Sequence, residues 1–488
     1  MKKFNLELSR PKIIIRADGN AQMGMGHIHR TLALADYLSE VFEIEFCLLN
    51  ADDLCSVLIQ NKNYKIINLK DPDYSNPKIF LKEIDTSSIV VIDGYNFRTE
   101  YQKAIMENGN KVVAIDDLNE WEQVADVVIN HGYSAPKNDY LVSKRTKLYT
   151  GLDYVLLKKE FIEATFTGKR NLKKNILVCI GGTDPKNYSK KILEELLSKT
   201  DKQIHLITYS NNAHFDELKS IAEKNWGRVK LHESVSTIEM VNLILENDLA
   251  ILQPSNIALE AASLGIYIGL IKTAENQKFI LESLLSKNCA EEVDENNISV
   301  RVNSVSENEI LKQIENQNKL IDKKSPARIQ TIFTSLALEI RKVKKEDSEI
   351  LFKWANDPLT RSNSYNQTEI NYDSHVNWLS KKVVDENSCF LIVEWNKIPA
   401  GTVRIDCSEK ENVIGITMAS EFRGKKLSAT MLDKACNYFF DNFNKQEITA
   451  YIKEGNNTSL KTFEQAGFKV MDKNEYFGTK SYRLIKIK

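Results

Sequence analysis

The sequence predicts an α/β protein: two consecutive domains on doubly wound parallel sheets, then a smaller α+β domain. Three observations predict it. Short apolar, β-branched runs alternate with helix-period stretches from residue 12 onward. The same progression of strand, glycine turn and helix restarts near Asn175, and after about residue 336 the alternation gives way to antiparallel-looking strands. A chain of 488 residues holds about three domains of roughly 150 residues each. The restarts set the expected boundaries at 1–168, 169–335 and 336–488.

In the first domain, strands are expected at Ile13–Arg16, Glu45–Leu49, Ile89–Ile92, Lys111–Ile115 and Val127–Ile129. The segment Lys12–Tyr37 passes from an apolar strand through Gly24-x-Gly26 into a helical pattern, with His27 at the turn. Glycines let backbone N–H groups approach an anion, and a helix N-terminus favours negative charge, so this turn is suited to phosphate. An imidazole beside it can take a proton from water near neutral pH. The second domain opens with Asn175–Ile180 and Gly181-Gly182, and continues through strands at Ile204–Thr208, Val229–Leu231, Leu249–Leu252 and Ile266–Ile271. Two such domains normally leave a ligand cleft at the C-terminal ends of their strands. The third domain begins with a strand, a charged turn and a helix, followed by strands at Cys389–Glu394, Gly401–Asp406 and Val413–Thr417.

Composition narrows the function classes. Lys+Arg 66 against Asp+Glu 67 gives a net charge of -1, which provides no bulk electrostatic case for nucleic acid. Seven scattered cysteines without a C-x-x-C pair indicate a reduced, cytoplasmic chain without a zinc ribbon. The N-terminus lacks an apolar h-region, and Asp248–Ile271 is interrupted by Gln253, Pro254, Asn256 and Glu260, so neither secretion nor membrane spanning is expected.

Four further clusters follow strands or open helices: Asp93-Gly94-Tyr95, Asp116-Asp117, Ser255-Asn256 with Glu260, and Asn276-Gln277. Taken alone, Ser255 and Glu260 read as a helix N-cap and a solvated glutamate, and Asp116-Asp117 as a turn after a buried strand. Tyr95 reads equally well as a rim aromatic.

Together, the strings Arg16–Arg30, Val91–Tyr95, Ile115–Leu118, Ile180–Asn187 and Glu275–Gln277 resemble the nucleotide-sugar hydrolases of pseudaminic acid biosynthesis over roughly residues 12–330. Those enzymes remove UDP from UDP-2,4-diacetamido-2,4,6-trideoxy-β-L-altropyranose and are similar to two-domain GT-B glycosyltransferases. The resemblance implies a GT-B-like arrangement of two Rossmann-like domains, the sugar facing the first and UDP held mainly by the second. It assigns His27 as catalytic base, Tyr95 and Asn276 to the sugar, and Ser255 and Glu260 to the nucleotide. Gly24, Gly26, Gly181, Gly182, Asn256 and Gln277 complete the expected UDP-sugar contacts, and Asp18 is the expected partner of His27. The implied reaction is water attack at C1 with inversion and loss of UDP, with no divalent ion required. It needs a neutral imidazole, so activity should fall at acid pH.

In the third domain, Arg423-Gly424-Lys425-Lys426-Leu427-Ser428 opens a helix after the strand Val413–Thr417 and resembles the GNAT acetyltransferases, as does Asn456-x-x-Ser459. That resemblance implies an α+β fold in which these residues hold the pyrophosphate of acetyl-CoA as cosubstrate. Lys426 and Ser428 replace two glycines of the family turn, and Phe463 stands where many relatives carry the acidic tyrosine, leaving Tyr482 or water as the acid. His375 and Trp378 are sugar-site candidates, with a satisfied helix histidine and a core tryptophan as the plain alternatives. The combined expectation is a bifunctional enzyme that acetylates a 4-amino sugar nucleotide and then hydrolyses the diacetylated product. Its rivals are a GT-B glycosyltransferase with a separate acceptor, and a non-catalytic acyl-CoA-binding C-terminal module.

Overall fold

The computed structural model describes residues 10–19, 25–132, 137–164, 175–182, 184–210 and 212–488. Lys12–Gln330 and Thr331–Lys488 form separate compact units. In the first, β1 (Lys12–Ala17), β2 (Glu43–Leu49), β3 (Lys65–Leu69), β4 (Ile89–Asp93), β5 (Lys111–Ile115), β6 (Val127–Asn130) and β7 (Lys147–Thr150) form one sheet. Its order is β3-β2-β1-β4-β5-β6-β7, and every pairing is parallel. Ile13, Ile15, Val90, Val91, Val112 and Val113 are fully buried. Helices cover both faces of such a sheet, which is why its central strands read as continuous apolar runs. The order reverses between β1 and β4, the point where an open sheet presents a crevice.

The same unit holds a second parallel sheet, built from β8 (Asn175–Cys179), β9 (Gln203–Thr208), β10 (Val229–Glu233), β11 (Leu249–Leu252), β12 (Tyr267–Leu270) and β13 (Glu291–Glu292). Its order is β10-β9-β8-β11-β12-β13, with the reversal between β8 and β11. The expected strands are all present. The added edge strands β3 and β7 carry half-exposed, polar-interrupted sequences that lack a continuous apolar signal.

In Thr331–Lys488, β14 (Leu338–Lys342), β15 (Ser388–Trp395), β16 (Ile398–Cys407), β17 (Asn412–Met418), β18 (Glu447–Lys453), β19 (Lys469–Tyr476) and β20 (Thr479–Ile487) form a sheet ordered β14-β15-β16-β17-β18-β20-β19. Its pairings are antiparallel except β17 with β18, which run parallel and meet in register at Val413–Thr449 alone. Parallel neighbours require a crossover, and the helix Ser428–Asn442 supplies it, burying Met431, Leu432, Ala435, Cys436 and Phe439. The α/β class expected from the sequence is the class observed. Among the described residues no helix is long and apolar enough to cross a membrane.

Candidate active site

The strand β1 leads into the helix Gly26–Leu38, and β4 ends at Asp93, so the reversal of the first sheet brings His27 against Asp93. His27 is 8% exposed, and its Nδ1 lies 2.7 Å from Asp93 Oδ1. Arg30, one helical turn after His27, donates through Nε to Asp93 Oδ2 at 2.6 Å and through Nη2 to Asp93 Oδ1. Its Nη1 donates to Asp117 Oδ2 at 2.8 Å. Burial pushes the Asp93 carboxyl up, but the charges and hydrogen bonds of Arg30 and His27 overcome it and hold the group at about 2. Desolvation likewise opposes the Arg30 charge, and Asp93 and Asp117 outweigh it.

An ionised Asp93 fixes the imidazole tautomer. Arg30 Nη2 also lies 3.0 Å from His27 Nδ1. A guanidinium only donates, so that contact would be a bond only if Nδ1 were bare. The carboxylate is the stronger claimant at 2.7 Å, and it places the proton on Nδ1, leaving the Nε2 lone pair free. Asp18, the expected partner, is engaged elsewhere: it accepts from Arg16 Nη1 at 2.6 Å and from Leu49 N at 2.8 Å, neutralising a buried arginine. Its place beside the glycine turn suggested His27, whereas its carboxylate turns to Arg16 and to the end of β2.

Tyr95 follows the dyad at the β4 exit, its ring edge-on to His27 with centroids 4.9 Å apart. Its hydroxyl donates to Asp117 Oδ2 at 3.4 Å and accepts from Asn276 Nδ2 at 3.2 Å. Asn276 lies beyond β12, so this contact joins residues that follow strands of the two sheets. The Asp116-Asp117 pair divides its work. Asp116 accepts from Leu118 N and Asn119 N, as a turn residue does, whereas Asp117 belongs to the His27 cluster. Arg30 was not singled out from the sequence, and Asp117 was noted there only in a pair read as a turn after a buried strand.

At the reversal of the second sheet, β8 exits into Gly181-Gly182 and β11 into the helix Asn256–Leu264. Gly181 has φ +87°, and a Cβ there would come within 2.4 Å of Gln253 Nε2. Ser255 makes no side-chain cap bond, so the first N–H groups of this helix are not claimed by it. Glu260 is 7% exposed, 3.6 Å from Lys158 Nζ, and burial pushes its carboxyl up against that lysine. Both residues thus depart from the plain expectation of a cap and a solvated glutamate. Gln277 is committed locally: it accepts from Thr273 N at 2.8 Å and donates to Gln253 Oε1 at 3.2 Å, bracing the loop that carries Asn276. Gly26 starts the helix of His27. Gly24 lies outside the described residues.

In Thr331–Lys488, the turn before the crossover helix has φ +75° at Gly424 and +58° at Lys426. A Cβ at Gly424 would meet nothing within 4 Å, and the helix Ser428–Asn442 begins without a side-chain cap. Lys426 therefore adopts the left-handed conformation that a glycine takes without strain. Lys425 and Lys426 are exposed, Leu427 is buried, and Arg423 donates to Asp357 Oδ1 at 2.6 Å, tying the turn to the helix Pro358–Asn363. Asn456 caps its own helix through Ser459 N. His375 is buried, its Nε2 3.1 Å from Ser348 O, and is satisfied within the fold; Trp378 is 38% exposed.

A carboxylate-anchored histidine at one sheet reversal, a glycine turn and an uncapped helix at the other, and a separate sheet parted beside a left-handed turn define an enzyme of two chemical parts. The second part is a GNAT domain: residues 337–469 match the family described as Acetyltransferase (GNAT) domain. Among individual proteins, the chain is 29% identical to the uncharacterized protein MJ1062 of Methanocaldococcus jannaschii, covering 94% of this chain and 96% of that one. It is 29% identical to the UDP-2,4-diacetamido-2,4,6-trideoxy-β-L-altropyranose hydrolase of Campylobacter jejuni, over 55% of this chain and 93% of that enzyme. It is 22% identical to the acetyltransferase PseH of Campylobacter jejuni, over 27% of this chain and 83% of that protein. The chain is thus a fusion of a module like that hydrolase with a GNAT acetyltransferase domain, as its motifs suggested.

Proposed function

We propose that this chain is a bifunctional enzyme of pseudaminic acid biosynthesis. Its C-terminal domain acetylates the 4-amino group of UDP-4-amino-4,6-dideoxy-β-L-AltNAc, and its N-terminal module hydrolyses the diacetylated product. The observation that carries the hydrolase reading is the His27–Asp93 pair, which leaves a bare Nε2 at the reversal of the sheet. In this reading Nε2 takes a proton from water as the water oxygen attacks C1. The C1–O bond breaks with inversion, and UDP leaves with the bonding electrons. Tyr95 and Asn276 orient the sugar. Gly181, Gly182, the Ser255 hydroxyl and the N–H group at Asn256 face the growing pyrophosphate charge, and Glu260 accepts from the ribose. No divalent ion is assigned, so UDP release should persist in excess EDTA.

The residues of the C-terminal turn fit acetyl-CoA: left-handed residues at Gly424 and Lys426 flank Lys425, open space lies at Gly424, and the following helix is uncapped. The amine nitrogen attacks the thioester carbonyl, the C–S bond breaks, the nitrogen gives up a proton to water, and the thiolate takes one from Tyr482 or water. One NMR time course tests both halves, with the UDP-4-amino sugar incubated with and without acetyl-CoA. The expected result is a new 4-N-acetyl signal and then loss of the UDP-linked anomeric signal, both only with acetyl-CoA. An unchanged amine would sink the acetyl-transfer half. Sugar transferred to an added acceptor rather than to water would replace hydrolysis with glycosyl transfer.

A further inference from the structure

The β19–β20 hairpin turns through two residues, Phe477 and Gly478, with φ +46° and +70°. Two-residue turns with positive φ at both positions favour Asn-Gly, and a bulky side chain there is strained. The β15–β16 hairpin of the same sheet meets the same demand with Asn396 and Lys397, at φ +51° and +63°. Phe477 is instead 77% exposed, so it contributes neither turn propensity nor core burial. Strain and exposed apolar area together call for a role outside folding.

Phe477 does not stand alone. Its ring is edge-on to Tyr476 at 4.6 Å and tilted against Tyr365 at 6.0 Å. Tyr476 stacks flat on Tyr451 of β18 at 3.8 Å. Lys453, also on β18, places its ammonium 5.5 Å from the Tyr365 ring centre. It donates to the carbonyls of Ser362 and Ser364, and among the described residues no carboxylate neutralises it. The aromatic group starts on β18, the strand that parts from β17 after Val413–Thr449. Gly415, in the middle of β17, is exposed, with open space where a Cβ would stand.

We propose that Phe477, with Tyr476 and Tyr365 behind it, is a stacking platform for the base of a nucleoside diphosphate, and that Lys453 takes a phosphate of the same molecule. The C-terminal domain then recognises its amine as a nucleotide-linked sugar, the amine lying over the gap between β17 and β18. This extends the acceptor reading above. A flat base stacks on the face of an exposed aromatic ring, and an anion matches an ammonium without a carboxylate.

The test is calorimetric titration of the full chain with UDP, in the presence of coenzyme A, for the wild type and for Phe477→Ala, Phe477→Tyr and Lys453→Met. The expected result is two UDP sites in the wild type and in Phe477→Tyr, and one in the other two, with unchanged thermal unfolding. Acetylation of the UDP-linked amine should show a KM raised about tenfold in Phe477→Ala, with kcat and the KM for acetyl-CoA unchanged. A single UDP site in the wild type that Phe477→Ala leaves in place, or equal KM for the UDP-linked and the nucleotide-free amine, overturns the platform while leaving acetyl transfer intact. Loss of the second UDP site in Phe477→Ala with no acetylation in any variant upholds the platform and sinks the acceptor reading. A Phe477-dependent dimer in sedimentation with only one UDP site would make the patch an interface between copies of this chain.

Discussion

At the scale of residues, two aspartates exchange the roles their positions suggest. Asp18 is adjacent to the glycine turn, yet its carboxylate serves Arg16, which is 1% exposed. Asp93 is 66 residues from His27 in sequence and touches it. The two should separate in mutation. Asp93→Asn is expected to lower kcat for UDP release by about 10²–10⁴-fold with little change in KM, because the amide can favour the wrong tautomer. Asp18→Asn should leave kcat near wild type but lower stability by about 3–5 kcal/mol in urea unfolding, as for breaking a buried ion pair. Equal effects of both on kcat would remove the distinction. His27 and Asp93 were both visible in the sequence as members of loaded clusters; their pairing was not, because it depends on which strands are neighbours. Arg30 did leave a signal: it sits at i+3 from His27, the spacing that places two residues on one helix face.

At the scale of elements, the turn Arg423–Ser428 keeps a left-handed residue without the glycine that makes it inexpensive. Lys426→Gly should therefore relieve about 1 kcal/mol of strain, raising the thermal midpoint of the domain by a few degrees, with acetyl-CoA affinity within about threefold of wild type. A fall in the midpoint would show that the lysine side chain stabilises the turn. Gly181→Ala has the opposite sign. Positive φ and a collision with Gln253 would disturb the Gln253–Gln277–Thr273 braces, and the KM for the UDP-sugar should rise about tenfold or more. The central strands were legible because burial on both faces writes an unbroken apolar run. Edge strands such as Lys65–Leu69 and Lys147–Thr150 were not, because one side of the ladder meets no neighbour and polar residues interrupt them.

At the scale of the whole molecule, acid sensitivity follows from histidines held neutral. Burial lowers His29, His131 and His205 to about 4, assisted by Lys158, Arg30 and His232 respectively. Their folded values lie below the unfolded value of 6.5, so between the two the unfolded chain binds more protons. Their contribution is complete above pH 6.5 and is lost as pH falls toward 4. Urea midpoints measured across that window should decline steadily for the wild type and less steeply for His131→Gln. A flat profile would contradict the buried neutral state.

The bond from Asn276 to Tyr95 has a consequence for selectivity. Where a sugar enters between these residues, as proposed above, a hydrogen bond that the protein makes with itself competes with it. A ligand that parts the two groups and offers each a replacement loses little. One that parts them without doing so leaves a donor and an acceptor unmatched, at about 1–3 kcal/mol once water is excluded. Discrimination would then rest less on what the cleft attracts than on what it declines to give up.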